Sequence, residues 1–175
     1  MRIIYHTVFL LSCFLFVTGG ALVAQAQSAS QKELFNPTGL EIPRFASLKS
    51  NKVFTRKGPG KRFPIEWIYQ RKDLPVEIVQ EFDTWRKIKD EEGAESWVHQ
   101  SLLSGKRTAV STVDPYARLF KKSDVNSRII GLVERGAIVE IKGCLEEWCK
   151  VDVLNYEGWI TKKDLWGIYE SENFQ

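Results

Sequence analysis

Short runs of alternating apolar and polar residues recur along the chain beyond Phe45, with turn-forming residues between them about every 8 to 12 positions. In Val76–Ile78 and again in Val139–Ile141, a glutamate separates two β-branched residues. A period of two is that of a β-strand with one buried face. Many short strands joined by tight turns are typical of small barrels. The pattern therefore predicts an all-β fold.

These strands belong to an internal repeat with a spacing of about 62 residues. The segment Val76–Ile78 begins nine residues before Trp85, and Val139–Ile141 begins nine residues before Trp148. Each tryptophan is followed by a short run of basic and apolar residues and then by a glycine-containing motif that ends the copy. The motifs are Gly93–Val98 and Tyr156–Ile160.

The repeat predicts two tandem domains, at residues 45–105 and 109–170. Each copy has only about 60 residues, a size at which a single core is marginal. Packing of one domain on the other is therefore expected to contribute to stability. Trp166 has Ser104 at its place in the first copy, and one interpretation puts Trp166 between the domains.

The N-terminus has the features of an export signal over residues 1–26. Arg2 precedes the apolar stretch Val8–Val17, and small residues at Ala24-Gln25-Ala26 predict cleavage after Ala26. The alternative is retention as a membrane span, but the stretch is short of about 20 residues and lacks a basic flank. Residues 27–44 are rich in Ser, Gln, Asn and Pro and predict a flexible tether. We expect an exported protein, periplasmic or secreted, without a membrane span after cleavage.

Charge and cysteine content narrow the partners and the compartment. The formal net charge is +3, and loss of Arg2 with the leader lowers it to +2, which gives no case for nucleic acid as a partner. Cleavage also removes Cys13 and leaves Cys144 and Cys149 on either side of a hairpin-sized stretch. A disulfide is predicted in an oxidising compartment, and two reduced thiols are the alternative.

The first copy contains a run that begins as a strand, Val53–Thr55, and then turns at Gly58-Pro59-Gly60. Four cations and three apolar residues surround this turn: Arg56, Lys57, Lys61, Arg62, Phe63, Pro64 and Trp67. One interpretation is a solvated loop whose charges confer solubility. The other is a surface that attracts an anionic partner, in which Arg can hold a carboxylate through two hydrogen bonds.

The tryptophans at equivalent places of the two copies also have two interpretations. Trp85 and Trp148 follow a turn, where a flat ring forms either the floor of a groove or part of the core. Trp97 and Trp159 are expected in the core.

Residues for a wall hydrolase are not found in the sequence. The mature chain has one histidine, His99, and its two cysteines lie together, so neither a Cys/His nucleophile pair nor a three-ligand metal centre can be assembled. The adjacent acids Asp90-Glu91-Glu92 do not face each other across a cleft, as a glycosidase requires. We expect a protein that is not an enzyme and that uses no cofactor and no metal.

The first copy resembles a bacterial SH3 (SH3b-like) domain. The resemblance rests on Val53–Gly60, the stretch Pro75–Ile78, the run Trp85–Ile88 and the closing Glu95–Val98. The second copy keeps an arginine at Arg118 but has Lys121-Lys122-Ser123 where Gly58-Pro59-Gly60 would fall.

The resemblance implies two small barrels of about five strands each that bind other molecules and perform no reaction. It also implies cell-wall or envelope partners. The predicted function is recognition of peptidoglycan or its peptides, and an adaptor that binds an envelope protein is the alternative. A structural or secreted factor with no dedicated groove is a third possibility. The candidate ligand-binding residues are Arg56, Lys57, Lys61, Arg62, Phe63, Trp67 and Trp85.

Overall fold

A computed structural model describes residues 36–174, which form fourteen β-strands and two short 3-10 turns. The predicted leader and residues 27–35 of the predicted tether lie outside the described residues. No helix within residues 36–174 is both long and apolar enough to cross a membrane. The strands are β1 (Arg44–Leu48), β2 (Val53–Arg56), β3 (Ile65–Tyr69), β4 (Pro75–Phe82), β5 (Trp85–Lys89), β6 (Glu95–His99), β7 (Leu103–Ser104), β8 (Thr108–Ser111), β9 (Tyr116–Phe120), β10 (Ile129–Glu134), β11 (Ile138–Leu145), β12 (Trp148–Val153), β13 (Tyr156–Thr161) and β14 (Leu165–Trp166).

The strands form two seven-stranded antiparallel sheets with the same order of strands. The first sheet runs β3-β2-β6-β5-β4-β1-β7, and the second runs β10-β9-β13-β12-β11-β8-β14. Every strand of the second sheet therefore occupies the position of the strand seven places earlier in the chain. Along the chain, a 3-10 turn follows β6 at Gln100–Leu102, and another follows β13 at Lys162–Asp164. This identity of topology confirms the all-β fold of two tandem domains.

Each sheet folds around a core of its own, which we call barrel 1 and barrel 2. The predicted strand residues supply much of both cores, since Val76 and Val139 are fully buried. Trp97 is buried as expected, whereas Trp159 is only half-buried. The remaining buried apolar residues are mostly aliphatic: Ala46, Leu48, Val53, Ile78, Ile88 and Val98 in barrel 1, and Ala109, Ala117, Leu119, Val133, Ile141, Val151, Ile160 and Leu165 in barrel 2.

The loops at residues 57–64 and 121–128 have the same backbone conformation, which corrects the alignment expected from the sequence. Three backbone hydrogen bonds of the first loop recur in the second with an offset of 64 residues. In the first loop, the N–H groups of Lys57, Gly60 and Phe63 donate to the carbonyls of Pro64, Gly58 and Gly60, respectively. In the second loop, the N–H groups of Lys121, Asp124 and Ser127 donate to the carbonyls of Arg128, Lys122 and Asp124. Lys122-Ser123-Asp124 therefore stands at the place of Gly58-Pro59-Gly60, one residue later than predicted. Phe120, rather than Arg118, occupies the place of Arg56, because these two residues pair with Trp159 and Trp97.

The two barrels contact each other through an aromatic cluster. Phe45 on β1 packs edge-on against Trp166, with 5.3 Å between ring centroids, and lies 4.7 Å from the ring of Tyr169. The hydroxyl of Tyr169 donates a hydrogen bond to Glu77 of β4 at 2.9 Å, and burial raises the pKa of this hydroxyl, with the neighbouring carboxylate adding to the effect. The predicted position of Trp166 between the two domains is confirmed.

The segment just before β1 is attached to barrel 1 through a buried carboxylate. Glu81 of β4 is 1% exposed and accepts hydrogen bonds from the backbone and hydroxyl of Thr38. Arg44 and Arg86 form ion pairs with the same carboxylate. Thr38, which lies in the predicted tether, is therefore held against the barrel, because a buried charge needs several donors to replace its hydration.

Candidate functional site

The loop of barrel 1 that carries the predicted cations is built around Phe63. Arg56 donates from Nη1 to the carbonyl oxygen of Phe63 at 2.7 Å, which ties the two ends of the loop together. A Cβ atom at Gly58 would lie 2.6 Å from the Phe63 ring, so only glycine fits beneath this ring. The guanidinium of Arg62 lies 5.2 Å from the ring centroid on the outside. Phe63 is thus half-buried within its own loop.

The four predicted cations differ in how far they are available to a ligand. Arg56 is engaged with the Phe63 carbonyl, and Lys57 lies 3.6 Å from the carboxylate of Glu66. Lys61 and Arg62 are exposed. The structure therefore leaves two cations at the tip of the loop in position to meet an anion.

Trp85 begins β5 and is half-buried, with its ring edge-on to His99 at 5.5 Å between centroids. The backbone around this ring is fixed by Arg86, which is 3% exposed and donates to the carbonyls of Asp83 and Trp85 at 2.8 and 2.9 Å. The same guanidinium reaches the side chain of Gln100 in the 3-10 turn at 2.6 Å. Trp85 is therefore held between the β4–β5 turn and the 3-10 turn with part of its ring accessible.

Barrel 2 has an open cleft of about 750 Å³ at the position equivalent to Trp85. It lies between the loop tip, the β11–β12 turn and the second 3-10 turn, with Trp148 on its wall. The ring of Trp148 is edge-on to Phe120 at 5.4 Å. The lining residues are Ser123, Asp124, Val125, Glu146, Glu147, Trp148, Thr161, Lys162, Lys163 and Glu170.

Two features keep this cleft in shape. The disulfide between Cys144 and Cys149, which confirms the predicted pairing, closes the turn that carries Glu146 and Glu147. Lys162 is buried, and its ammonium donates to the carbonyls of Glu170 and Glu172 at 2.9 and 2.7 Å. A segment near the end of the described chain is thereby held at the edge of the cleft.

The equivalence of the two barrels identifies the residues of barrel 1 that correspond to the cleft of barrel 2. Trp85 takes the place of Trp148, and the 64-residue offset puts Lys61 at the place of Val125. Trp85 and Lys61 are thus the counterparts in barrel 1 of two residues that line the cleft of barrel 2. Trp67 does not correspond to a residue of the cleft, because the same offset aligns it with Gly131, which is not among the lining residues.

The cleft of barrel 2 and the cationic loop of barrel 1 carry opposite charge. In barrel 2, Asp124, Glu146, Glu147 and Glu170 outnumber Lys162 and Lys163. In barrel 1, the loop carries Lys57, Lys61 and Arg62 without an acid. Sequence reasoning singled out Trp148 through its equivalence to Trp85, but it missed the acidic wall. The acids come from three separate stretches of the chain, and only the fold brings them together.

Several residues were assigned from the sequence to packing or to turns: the histidine, the two cysteines and the adjacent acids. Their contacts lie within turns and strands of the fold. His99 Nδ1 lies 2.8 Å from the hydroxyl of Ser101 within the 3-10 turn. Asp90 accepts hydrogen bonds from the backbone of Glu92 and Ala94, as a turn residue does, and another from the Tyr69 hydroxyl at 2.8 Å. Among residues 36–174, no group of three His, Cys, Asp or Glu side chains is arranged to hold a metal ion.

Comparison with known proteins agrees with this architecture. The family model for the bacterial SH3 domain matches twice, at residues 49–105 and 113–167. No curated protein matches the chain. Among solved structures, the chain is similar to NlpC2 from Trichomonas vaginalis (15% identity, 77% of this chain and 52% of that one, TM-score 0.35) and NlpC1 from the same organism (14%, 73% and 46%, 0.32).

A third similar structure is an NlpC/P60 family protein from Bacillus cereus ATCC 10987 (14% identity, 69% of this chain and 55% of that one, TM-score 0.32). The chain thus spans about half the length of these three proteins. The two family matches together cover more than half of the chain and coincide with the two barrels. The chain therefore belongs to the bacterial SH3 domain family, of which it carries two tandem copies.

Proposed function

We propose that the protein is an exported, non-enzymatic binding module that recognises peptidoglycan through its peptide stems. The observation that supports this most directly is that half-buried Trp85 and the cationic loop tip occupy the places in barrel 1 that Trp148 and the loop tip of barrel 2 have around the cleft. A flat aromatic ring binds the apolar part of a ligand, and Arg or Lys beside it binds a carboxylate. Peptide stems present both chemical features.

The second groove extends the proposal to the amino groups of the same polymer. Wall peptides carry free amines as well as carboxylates, and the acidic cleft beside Trp148 is complementary to a cation. The basic groove and the acidic groove would then engage different groups of one polymer. Two linked sites of modest affinity bind a repeating polymer more tightly than either site alone.

Co-sedimentation with purified sacculi at low salt tests the proposal. Trp85→Ala is expected to weaken retention by roughly thirtyfold, the loss associated with a central aromatic residue of a binding site. Trp148→Ala is the matched variant in barrel 2 and should weaken binding separately. Lys61→Gln/Arg62→Gln should weaken binding and reduce its dependence on salt.

Two results would contradict the proposal. The first is no retention of the wild-type protein on sacculi at low salt. The second is co-purification of a defined envelope protein that depends on Trp85 while sacculus binding does not, which would identify an adaptor instead.

A further inference from the structure

The charge of the protein is concentrated in one hairpin. Residues 49–72, which we call the basic hairpin, contain eight Lys and Arg residues against Glu66 alone, a net charge of +7. The whole chain has a net charge of +3, so the residues outside the hairpin sum to −4. The corresponding stretch of barrel 2, residues 113–136, has five basic and three acidic residues and a net charge of only +2.

The basic hairpin also exposes large apolar side chains. Its outer strand β3 is the first strand of its sheet and has no partner strand on its far edge among residues 36–174. Four apolar residues of β2 and β3 are between 39% and 49% exposed: Phe54, Ile65, Trp67 and Ile68. Phe54 and Ile68 are cross-strand partners, so they form one contiguous patch. An apolar patch of this kind on a soluble domain marks an interaction surface.

The available cations lie at both ends of this patch. Lys61 and Arg62 are at the tip, and Lys49, Lys52 and Lys72 are at the base, where the backbone N–H of Lys72 bonds the side chain of Asn51. The ammonium of Lys52 lies 5.2 Å from the centroid of the Phe54 ring, which joins charge and apolar surface directly. None of these five cations forms an ion pair within the described part of the chain, and the one acid of the hairpin is neutralised by Lys57.

We infer that the basic hairpin docks on an anionic phospholipid surface, with Phe54 and Ile68 entering the interface and the cations at its base, Lys49, Lys52 and Lys72, meeting the headgroups. Charge complementarity requires an anionic partner, and the apolar patch requires one that also offers hydrocarbon beside its charges. A phosphate polymer provides only the first, whereas a bilayer interface provides both.

This inference goes beyond wall recognition and does not depend on it. The cations at the base of the hairpin, Lys49, Lys52 and Lys72, lie outside the loop proposed to bind the wall. A protein that holds a lipid surface with one hairpin and the wall with its grooves would bridge the two.

Co-sedimentation of the mature protein with vesicles tests the inference, using mixed phosphatidylglycerol and phosphatidylcholine vesicles and pure phosphatidylcholine vesicles. Binding is expected only to the anionic vesicles. Each cation near an anionic surface contributes a roughly fivefold factor, so Lys49→Gln/Lys52→Gln/Lys72→Gln should weaken binding by about a hundredfold. These three exposed substitutions should leave the unfolding transition and sacculus binding unchanged.

Barrel 2 provides the matched controls. Lys121→Gln/Lys122→Gln/Arg128→Gln removes three exposed cations from the equivalent hairpin and should leave vesicle binding within about threefold of wild type, since a charge there acts at long range only. Ile68→Ser should weaken binding at least about tenfold, whereas Leu132→Ser, at the equivalent position, should not.

Several outcomes would overturn the inference. Equal losses in the two hairpins would mean that net charge alone is responsible. Unchanged binding of Ile68→Ser, together with full competition by soluble polyphosphate, would identify a phosphate polymer as the partner. Failure of wall recognition would be seen separately, as loss of sacculus binding by wild type with vesicle binding intact.

Discussion

A coupled difference at two positions explains how the loops of the two barrels keep one backbone conformation with different sequences. In barrel 1, Gly58 lies directly beneath the ring of Phe63, with no room for a Cβ atom. In barrel 2, Lys122 replaces that glycine, and Ser127 replaces the phenylalanine. The hydroxyl of Ser127 accepts a hydrogen bond from the backbone of Lys122 at 3.0 Å. Gly58 is therefore needed because it leaves room for the ring of Phe63. The turn itself forms in barrel 2 without a glycine at this position.

This coupling predicts the outcome of a double-mutant cycle. Gly58→Ala should lower the free energy of unfolding by about 1–3 kcal/mol, because its methyl group would overlap the Phe63 ring. In the Phe63→Ser background the same change should cost less than about 0.5 kcal/mol, which gives a coupling energy of about 0.5–3 kcal/mol. Urea unfolding of the four proteins measures it.

Gly60→Ala is the control for this cycle, because a Cβ atom there would lie 3.5 Å from the same ring, at ordinary contact distance. A Gly60→Ala cost equal to that of Gly58→Ala would point to backbone flexibility rather than overlap as the cause.

At the scale of a strand, β4 of barrel 1 orders the segment that precedes β1. Burial alone would raise the pKa of Glu81, but hydrogen bonds from Arg44 and Thr38, with the charge of Arg86, outweigh burial and hold the pKa below its ordinary value of 4.5. The ionised carboxylate is therefore favoured in the folded state. Its contribution to stability is fully present above pH 4.5 and is lost as the pH falls through the lower pKa of the folded protein.

Glu81→Gln is accordingly predicted to destabilise the protein by about 3 kcal/mol at neutral pH, because it leaves Arg86 buried without a counter-charge. The difference in unfolding free energy between wild type and Glu81→Gln should narrow as the pH is lowered below 4.5, where the wild-type carboxylate becomes protonated. Urea titrations at neutral pH and across the acid range measure this. A difference that stays constant into strong acid would show that the carboxylate does not titrate in the way proposed.

The strands could be predicted from the sequence more completely than the surfaces they carry. A period of two and a repeated Trp motif are local signals, so the fold, the duplication and the disulfide followed from them. The role of Arg56 could not be predicted, because the sequence around Gly-Pro-Gly does not show whether the arginine faces solvent or donates to the carbonyl of Phe63. The cleft wall of barrel 2 was also missed, since Asp124 and Glu170 are neighbours only in the folded chain.

At the scale of the whole molecule, the contact between the barrels is expected to add to the stability of two small cores. The aromatic cluster joins Phe45 of the first strand to Trp166 of the last strand and to Tyr169, which follows it. Polar contacts surround it: the hydroxyl of Thr108 donates to the carbonyl of Asp73 at 2.8 Å, and Lys106 lies between the carboxylates of Asp73 and Glu140. These contacts join the two barrels directly, in addition to the stretch of chain that links them.

If this contact couples the barrels, thermal unfolding of the wild-type protein should show one calorimetric transition, and Trp166→Ala should separate it into two. Loss of this half-buried ring is expected to cost about 2–3 kcal/mol, all of it at the junction between the barrels. Tyr169→Phe removes only the hydrogen bond to Glu77 and should cost about 1 kcal/mol while the single transition is kept. Trp67→Ala, a tryptophan outside the junction, serves as the control. Two transitions in the wild-type protein would mean that the barrels fold independently and that the aromatic cluster does not couple them.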